Sequence, residues 1–425
     1  MSKAPLPTDA PACEGPLAGL KVLDLSRILA GPTCTQLLGD LGADVVKVER
    51  LGRGDDTRGW GPPFLKDAQG RETRESAYYL CANRNKRSLA VDLSTAEGLA
   101  LVRDLADRSD ILIENFKRGD LARRGLGYED LKTRNVRLIY CSITGFGQDG
   151  PYADRAGYDF LIQGMGGIMS LTGTPLAEPG GSGPMKVGVG IADVMCGMYA
   201  ASAILAALNA RQKNGRGQFI DLALLDSQVA WLINQGLAHL TDGKVPGALG
   251  NGHPTIVPYQ TFPASDGVFI LAVGNDDQYA RFCSVAERPD LAEDPRFVRN
   301  ADRVRHRADL VPLIEQVTKT RRAGWWLDEL ERVGVPAGPV NDLGAVFSDP
   351  QILHRGMKIT MPHGLAGDGE VRLIGNPLKL SGTPVTYRHP PPQVGEHSGE
   401  VLSERLGLDA EAIQALIDKN VIGQA

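Results

Sequence analysis

Between Lys21 and Phe146 the chain alternates nearly continuous apolar runs with segments of helical spacing, and this alternation restricts its fold more than any other feature. KVLDLS passes through the breaker pair Gly31-Pro32 into TCTQLLGDLGA, whose apolar residues recur at helical spacing, and then into DVVKVE, completing one βαβ unit. The pattern continues as RSLAVDLS, the helix TAEGLALVRDLADR, DILIENF, the helix LARRGLGYEDLKTR and RLIYCSITGF. Strands that are apolar on both faces belong to a parallel sheet covered by helices on both sides, so the expected class is α/β with a doubly wound sheet.

Beyond Phe146, GMGGIMSLTGTPLAEPGGSGP reads as a Gly-rich connection, and KVGVGIADVMCGMYAASAILAAL reads as a strand or turn followed by a helix. Its stretch from Ala192 to Ala210 carries Asp193, Gly197 and Ser202 and falls short of a membrane span, which predicts a buried core helix. After about residue 225 the texture changes to that of a smaller α+β domain, with DGVFILAVGN as a strand and helices around Asp277–Ala286 and Asp309–Val333. Residues 334–400 are rich in Pro and Gly, as expected of chain laid across another surface, and SGEVLSERLGLDAEAIQALIDK closes the chain as an amphipathic helix. The expected division is a disordered lead-in at 1–15, a large domain at 16–225, a linker at 226–250, a small domain at 251–340, an extended return at 341–400, and a C-terminal helix at 401–425 packing on the large domain.

A net charge of -5 provides no general field for nucleic acid or an anionic membrane, so an anionic ligand must be held by local groups. Six separated cysteines without a C-x-x-C pair, and an opening segment without a signal or transit pattern, predict a reducing cytoplasm. No histidine pair has metal-ligand spacing, and no metal is expected. The first βα turn, SRILAGP, lacks G-x-G-x-x-G, which disfavours a nicotinamide cofactor, and no P-loop is present to cradle ATP.

Basic residues do recur at strand ends: Arg50, then Arg84, Lys86 and Arg87, then Lys117, Arg118, Arg123 and Arg124. As a cluster they are candidates for holding phosphates, although each alone reads more readily as solvated surface charge. Asp193 lies near a helix start beside Gly188-Val189-Gly190, where a carboxylate serves either as an N-cap or first-turn carboxylate or as a poised nucleophile. Spacing by itself favours the cap. Cys141 reads as a packed core thiol, since no basic partner can be assigned to it, and His253 either binds substrate or braces its loop.

The ordered set LAGLKVLDLSRILAGPTCTQLLGDLGADVVKVE, GDDTRGW, NRNKRSLAVDL, DILIENF, SITGFGQDGPYADRAGYD and GIAD resembles the class III CoA-transferases of the formyl-CoA transferase type over nearly the whole chain. The resemblance implies a Rossmann-like large domain, a small domain and an interlocked homodimer. It also implies that Asp193 is the nucleophile that forms an aspartyl mixed anhydride and then an aspartyl-CoA thioester, with Tyr158 and Asp159 as the neighbouring tyrosine-acid pair. Leu29, Ala30, Arg50, Val91, Asp92, Leu93, Ser94, Asn115, Phe116, Lys117 and Arg123 match positions that contact CoA. Coenzyme A is thereby expected as substrate and product, with no tightly bound cofactor, no nucleic acid and no membrane as partner.

In place of the formyl-type glycine run stands GALGNGHPTIVPYQTF, which makes oxalate and formate doubtful. This loop resembles members that use succinyl-CoA and short dicarboxylates, with Gly252 and His253 as substrate-binding residues. The main rival is a 2-methylacyl-CoA racemase of the same fold. Its G-H-D histidine is here Tyr158 of Gly157-Tyr158-Asp159, and a phenol is a poor base near neutrality. A CoA-binding protein without catalysis and an oxidoreductase lacking its fingerprint are more remote alternatives.

Overall fold

The computed structural model describes residues 15–178 and 180–424. Apart from Gly15, the expected lead-in, Cys13 included, lies outside the described residues. The chain forms two compact units: one ends at Gly167 and resumes over Val187–Ile233 and from Gln351 onward, and the other comprises Ile168–Lys186 and Asn234–Pro350. The predicted boundaries at 225, 250 and 340 are therefore displaced. The Gly-rich connection expected inside 16–225 belongs to the second unit, where the Gly250 amide donates to the Gly173 carbonyl at 2.8 Å.

The first unit is built on strands β1 (Lys21–Asp24), β2 (Asp44–Glu49), β3 (Lys86–Val91), β4 (Ile111–Glu114), β5 (Ile139–Thr144), β6 (Phe219–Ala223) and β7 (Ile422–Gly423). Their spatial order is β7-β3-β2-β1-β4-β5-β6, all neighbours being parallel except the antiparallel β7. Successive side chains point to opposite faces. Val22, Val45, Ile111 and Ile139 meet one helical layer, while Leu23, Val46, Leu112 and Tyr140 meet the other. This double burial is why the strands read as nearly continuous apolar runs.

Helices α1 (Ala30–Asp40) and α4 (Ile191–Asn214) cover the first face, and α2 (Ala96–Asp107) covers the second. The chain runs outward from β1 through β2 to β3, then returns to β4 on the other side of β1. Connections that diverge at β1 and β4 leave a crevice at the carboxyl ends of those strands.

α4 is long and apolar enough to cross a membrane by length and composition. Its stripe of Cys196, Ala200, Ile204 and Ala207 is instead buried in the core, while Met198, Tyr199 and Leu205 are exposed, so the expected core helix is buried along one face. Two predicted helices are each divided at glycines of positive φ. LARRGLGYEDLKTR gives Asp120–Arg123 and Tyr128–Leu131 about Gly125, and the C-terminal segment gives Ser398–Leu406 and Ala410–Asp418 about Gly407. The expected strand or turn before α4 is irregular chain.

The return segment is also more structured than expected. Lys358–Pro362 and Glu370–Ile374 pair as a hairpin, and Met361, Val371 and Leu373 form a small core with Tyr79 and Leu80. In the second unit, Tyr259–Ala264, Gly267–Ala272 and Ala337–Pro339 form an antiparallel sheet. Helices Asp276–Val285, Arg307–Thr318 and Ala323–Arg332 pack with it around Phe269, Phe282 and Trp326.

α4 approaches α1 at Gly197, where an added Cβ would lie 2.5 Å from the Ala30 carbonyl oxygen. Alanine is the better helix former by about 1 kcal/mol, but overpacking costs about 1–3 kcal/mol. Gly197→Ala should therefore lower the urea midpoint of unfolding, and a stabilised variant would contradict this packing.

Candidate active site

A cleft of about 500 Å³ opens at the crevice between β1 and β4. Arg27–Ala30 after β1, Asn115–Arg118 after β4 and Ile143–Gly145 at the end of β5 contribute to its walls, together with Tyr158 and Asp193. The turn after β1 is fastened from below by charges that are wholly buried. Lys47 Nζ lies 2.9 Å from Asp55 and donates to the Ser26 carbonyl at 2.9 Å, while Lys86 lies 3.3 Å from Asp24. Asp24 also accepts from the Ser26 and Thr35 hydroxyls.

Burial alone would raise the Asp55 carboxyl, but the Lys47 ammonium and hydrogen bonds from Lys47 and Thr57 hold it at about 2. Burial pushes the Lys86 ammonium down to about 8 against the opposing attraction of Asp24. The ionised Asp55 in turn accepts the amide of Ile28, a β-branched residue in the left-handed region at φ 73°. Such a backbone is strained and requires a partner to hold it. Asn115 completes the support, accepting from the Arg27 amide at 2.9 Å and donating to the Arg27 carbonyl at 2.7 Å.

Asp193 is the third residue of α4, whose N-cap is Gly190, and no side chain of that cap bonds the helix. Asp193 is a first-turn carboxylate, as one structural alternative had it, but it does not cap the helix, because another residue does that work. Asp159, at the start of α3 (Asp159–Met165), accepts the Ala192 amide on Oδ1 at 2.8 Å. Its Oδ2 accepts from Gln163 Nε2 at 2.7 Å, and Gln163 Oε1 accepts the Val187 amide at 2.8 Å. The Val187–Ala192 segment is thus held at both ends by one acid-amide pair.

Asp193 itself is 9 % exposed and, among the described residues, accepts no hydrogen bond. Burial first, and the charge of Asp159 second, push its carboxyl up to about 7. A carboxylate that is short of solvation and faces a cleft is a better nucleophile than one satisfied at a helix cap.

Of the residues picked out from sequence, the cleft brings together Leu29, Ala30, Asn115, Phe116, Lys117, Tyr158 and Asp193, with Asp159 bonded behind it. Arg50 is exposed and pairs with the wall residue Asp56. Val91 packs in the core; Asp92 is engaged by Ser94, the Leu93 carbonyl by Arg124, and Arg123 by Asp120. These four positions of 91–94 and Arg123 are not among the cleft walls.

Gly252 and His253 lie in the second unit. There His253 rests against Tyr259, accepts the Thr255 amide on Nδ1, and takes an Arg307 hydrogen bond on its carbonyl, which braces the loop. The proposed phosphate cluster loses three members. Arg84 is committed to Asp40 and Lys86 to Asp24 as buried pairs, and the nearly buried Arg87 guanidinium is committed to Asp44 and to the exposed Glu400 and Glu404. Cys141 is fully buried, with its thiol pushed far up by that burial, and is unsuited to attack.

Sequence reading missed Arg27, Trp60, Gln163 and Tyr78. Tyr78 stacks edge-on with Trp60 at 5.2 Å, and its phenol is pushed up to about 12 by burial and then by the charge of Asp193. Little that is local marks these side chains: apart from the Gln163–Asp159 bond, four positions apart, the partners named here lie 18 to 115 positions away.

The model of CoA-transferase family III matches residues 17–398. The chain is 48% identical over 402 residues to a succinate–glutarate CoA-transferase of Agrobacterium fabrum, covering 93% of this chain and 97% of that one. It is 40% identical over 409 residues to the human succinyl-CoA:glutarate CoA-transferase, covering 96% and 90%. Among solved structures it is similar to a CAIB/BAIF family protein from Brucella suis, with a TM-score of 0.81, 48% identity and coverage of 92% and 99%. With a Rossmann-like sheet, a cleft at its switch point and these likenesses over nearly its full length, the chain belongs to CoA-transferase family III.

Proposed function

We propose that this CoA-transferase moves CoA from a short dicarboxylyl-CoA such as succinyl-CoA to a carboxylate acceptor such as glutarate, with Asp193 as the nucleophile. The observation that carries the reading is the buried Asp193 carboxylate, which has no hydrogen-bond partner among the described residues, at a cleft of about 500 Å³. The names of the two enzymes similar to this chain support the substrate class.

In the proposed sequence, an Asp193 oxygen attacks the thioester carbonyl, the C–S bond breaks, and a mixed anhydride and CoA thiolate result. The thiolate attacks the Asp193 acyl carbon, releasing the donor carboxylate and leaving an aspartyl-CoA thioester. The acceptor carboxylate then attacks that carbon, expelling thiolate and forming a second anhydride. Return of the thiolate to the acceptor's acyl carbon releases its CoA ester and restores Asp193. Activation is conserved throughout, so no ATP is consumed. CoA enters as substrate, with Leu29, Ala30 and Asn115–Lys117 proposed along its path and Arg50, Val91–Ser94 and Arg123 proposed for its distal part.

Asp159 and Gln163 act here as positioning residues, because one oxygen of each accepts from the Val187–Ala192 segment and their remaining polar atoms bond each other. Tyr158, 65 % exposed, stands on the cleft wall where the racemase alternative would need a base. An interlocked homodimer belongs to the same proposal. Helix Ile233–Asp242 has no buried residue in the single chain, and Leu237 and Leu240 present apolar surface that a second copy would cover. The five described cysteines are free, which fits a reducing cytoplasm.

Incubation with succinyl-CoA should leave a hydroxylamine-sensitive adduct on the Asp193 peptide. Asp193→Ala should lose this adduct and roughly a thousandfold or more of the transfer rate between succinyl-CoA and glutarate. Full transfer by Asp193→Ala would exclude the mechanism. Since attack requires the ionised carboxylate, kcat/KM should rise with pH up to about 7 and then level. Asp159→Asn removes the neighbouring charge, so its acidic limb should move to lower pH; an unmoved limb would separate that charge from Asp193. Sedimentation should give twice the chain mass, and a monomer at assay concentration would refute the dimer.

A further inference from the structure

Dicarboxylate chemistry poses a requirement that Asp193 cannot meet. One carboxyl carbon reacts, while the other end of the same substrate carries a full negative charge into a cleft that already holds Asp193 and has Asp159 behind it. Without a cation to receive it, that charge would be repelled or desolvated at a cost.

The cleft walls contain four cationic side chains. Arg27 is paired with Asp56 at 2.9 Å, and Arg118 with Asp154 at 3.0 Å. Lys117 lies on the turn proposed for CoA. Arg155 remains, and among the described residues its guanidinium has no carboxylate partner.

Arg155 is nonetheless held. Its guanidinium carbon lies 4.5 Å from the Tyr152 ring centroid and 5.5 Å from that of Phe146, and the two rings pack edge-on at 5.6 Å. Cation-π contact restrains the stem without consuming the fork of N–H donors, which leaves a planar group suited to bidentate carboxylate binding. The backbone beneath is equally constrained. Gly145 at the end of β5 and Gly157 approach so closely that a Cβ on Gly145 would stand 2.6 Å from the Gly157 Cα. That contact lays the Ala153–Tyr158 segment along the cleft wall.

We propose that Arg155 is a specificity-determining residue that receives the free carboxylate of a dicarboxylyl-CoA donor and of its dicarboxylate acceptor. This rests on the function proposed above and narrows it: selection between dicarboxylates and monocarboxylates of equal chain length is made at Arg155, apart from the chemistry at Asp193.

The test compares succinyl-CoA with butyryl-CoA as donors to glutarate, in the wild-type protein and in Arg155→Gln and Arg155→Lys, with thermal melting to confirm equal folding. The ratio of kcat/KM for succinyl-CoA over butyryl-CoA should fall on the order of ten- to hundredfold in Arg155→Gln, as expected for loss of a charge-assisted hydrogen bond. Arg155→Lys should retain part of the preference. A preference unchanged in Arg155→Gln, or equal losses with both donors, overturns the role of Arg155 and leaves the transferase reading standing. A wild-type protein that cannot use succinyl-CoA at all overturns both.

Discussion

The buried charges beneath the first turn, Asp24, Lys47, Asp55 and Lys86, are the constraint on which the rest of the site depends. Ion pairs removed from water repay little of their desolvation as net stability, so their presence at the buried ends of the sheet calls for a different benefit. That benefit is geometric. Lys47 and Asp55 together bind the Ser26 carbonyl and the Ile28 amide, fixing a turn whose central β-branched residue sits at φ 73°. Asn115 then ties the turn after β4 to the same backbone, so the two lips of the crevice are set relative to each other before any ligand arrives.

The second constraint is division of labour between two acids. In an ordinary helix the first-turn carboxylate satisfies the free amides and is stabilised by the dipole. Here Asp159 reaches across from another helix to take the Ala192 amide, which frees Asp193 from capping and adds a repelling charge beside it. Both effects leave Asp193 buried, weakly solvated and more basic than a surface aspartate. Gln163, fully buried, transmits the same hold to Val187, so the glycines before α4 are restrained even though their own conformational freedom is large.

The far end of the chain completes the first unit in a manner that its Pro/Gly texture conceals. Arg87 on β3 binds Asp44, Glu400 and Glu404, while Asn85 bonds the Thr386 carbonyl and the Arg388 and His389 amides. β7 then pairs with β3 and covers what would otherwise be an open sheet edge. The C-terminal segment, read from sequence only as a helix, therefore supplies an edge guard and, at Glu400 and Glu404, counter-charges for a basic residue that looks like a surface ligand when seen locally.

The alternating apolar runs alone determined the α/β class and the identity of β1 to β5, because strands buried on both faces need apolar side chains at most positions. The motif set likewise pointed to the family and to Asp193, since those residues are adjacent in the chain. Spacing alone nevertheless favoured a cap for Asp193, and only tertiary structure decided otherwise by bringing Asp159 to Ala192 from 33 positions away. The same holds for Lys86, which looks like a phosphate ligand until Asp24, 62 positions earlier, is placed against it in the core. Local periodicity records which face of an element is dry. Which charge is paired, which is left open to the cleft and which helix end is capped are set by partners distant in sequence, and these the fold alone brings together.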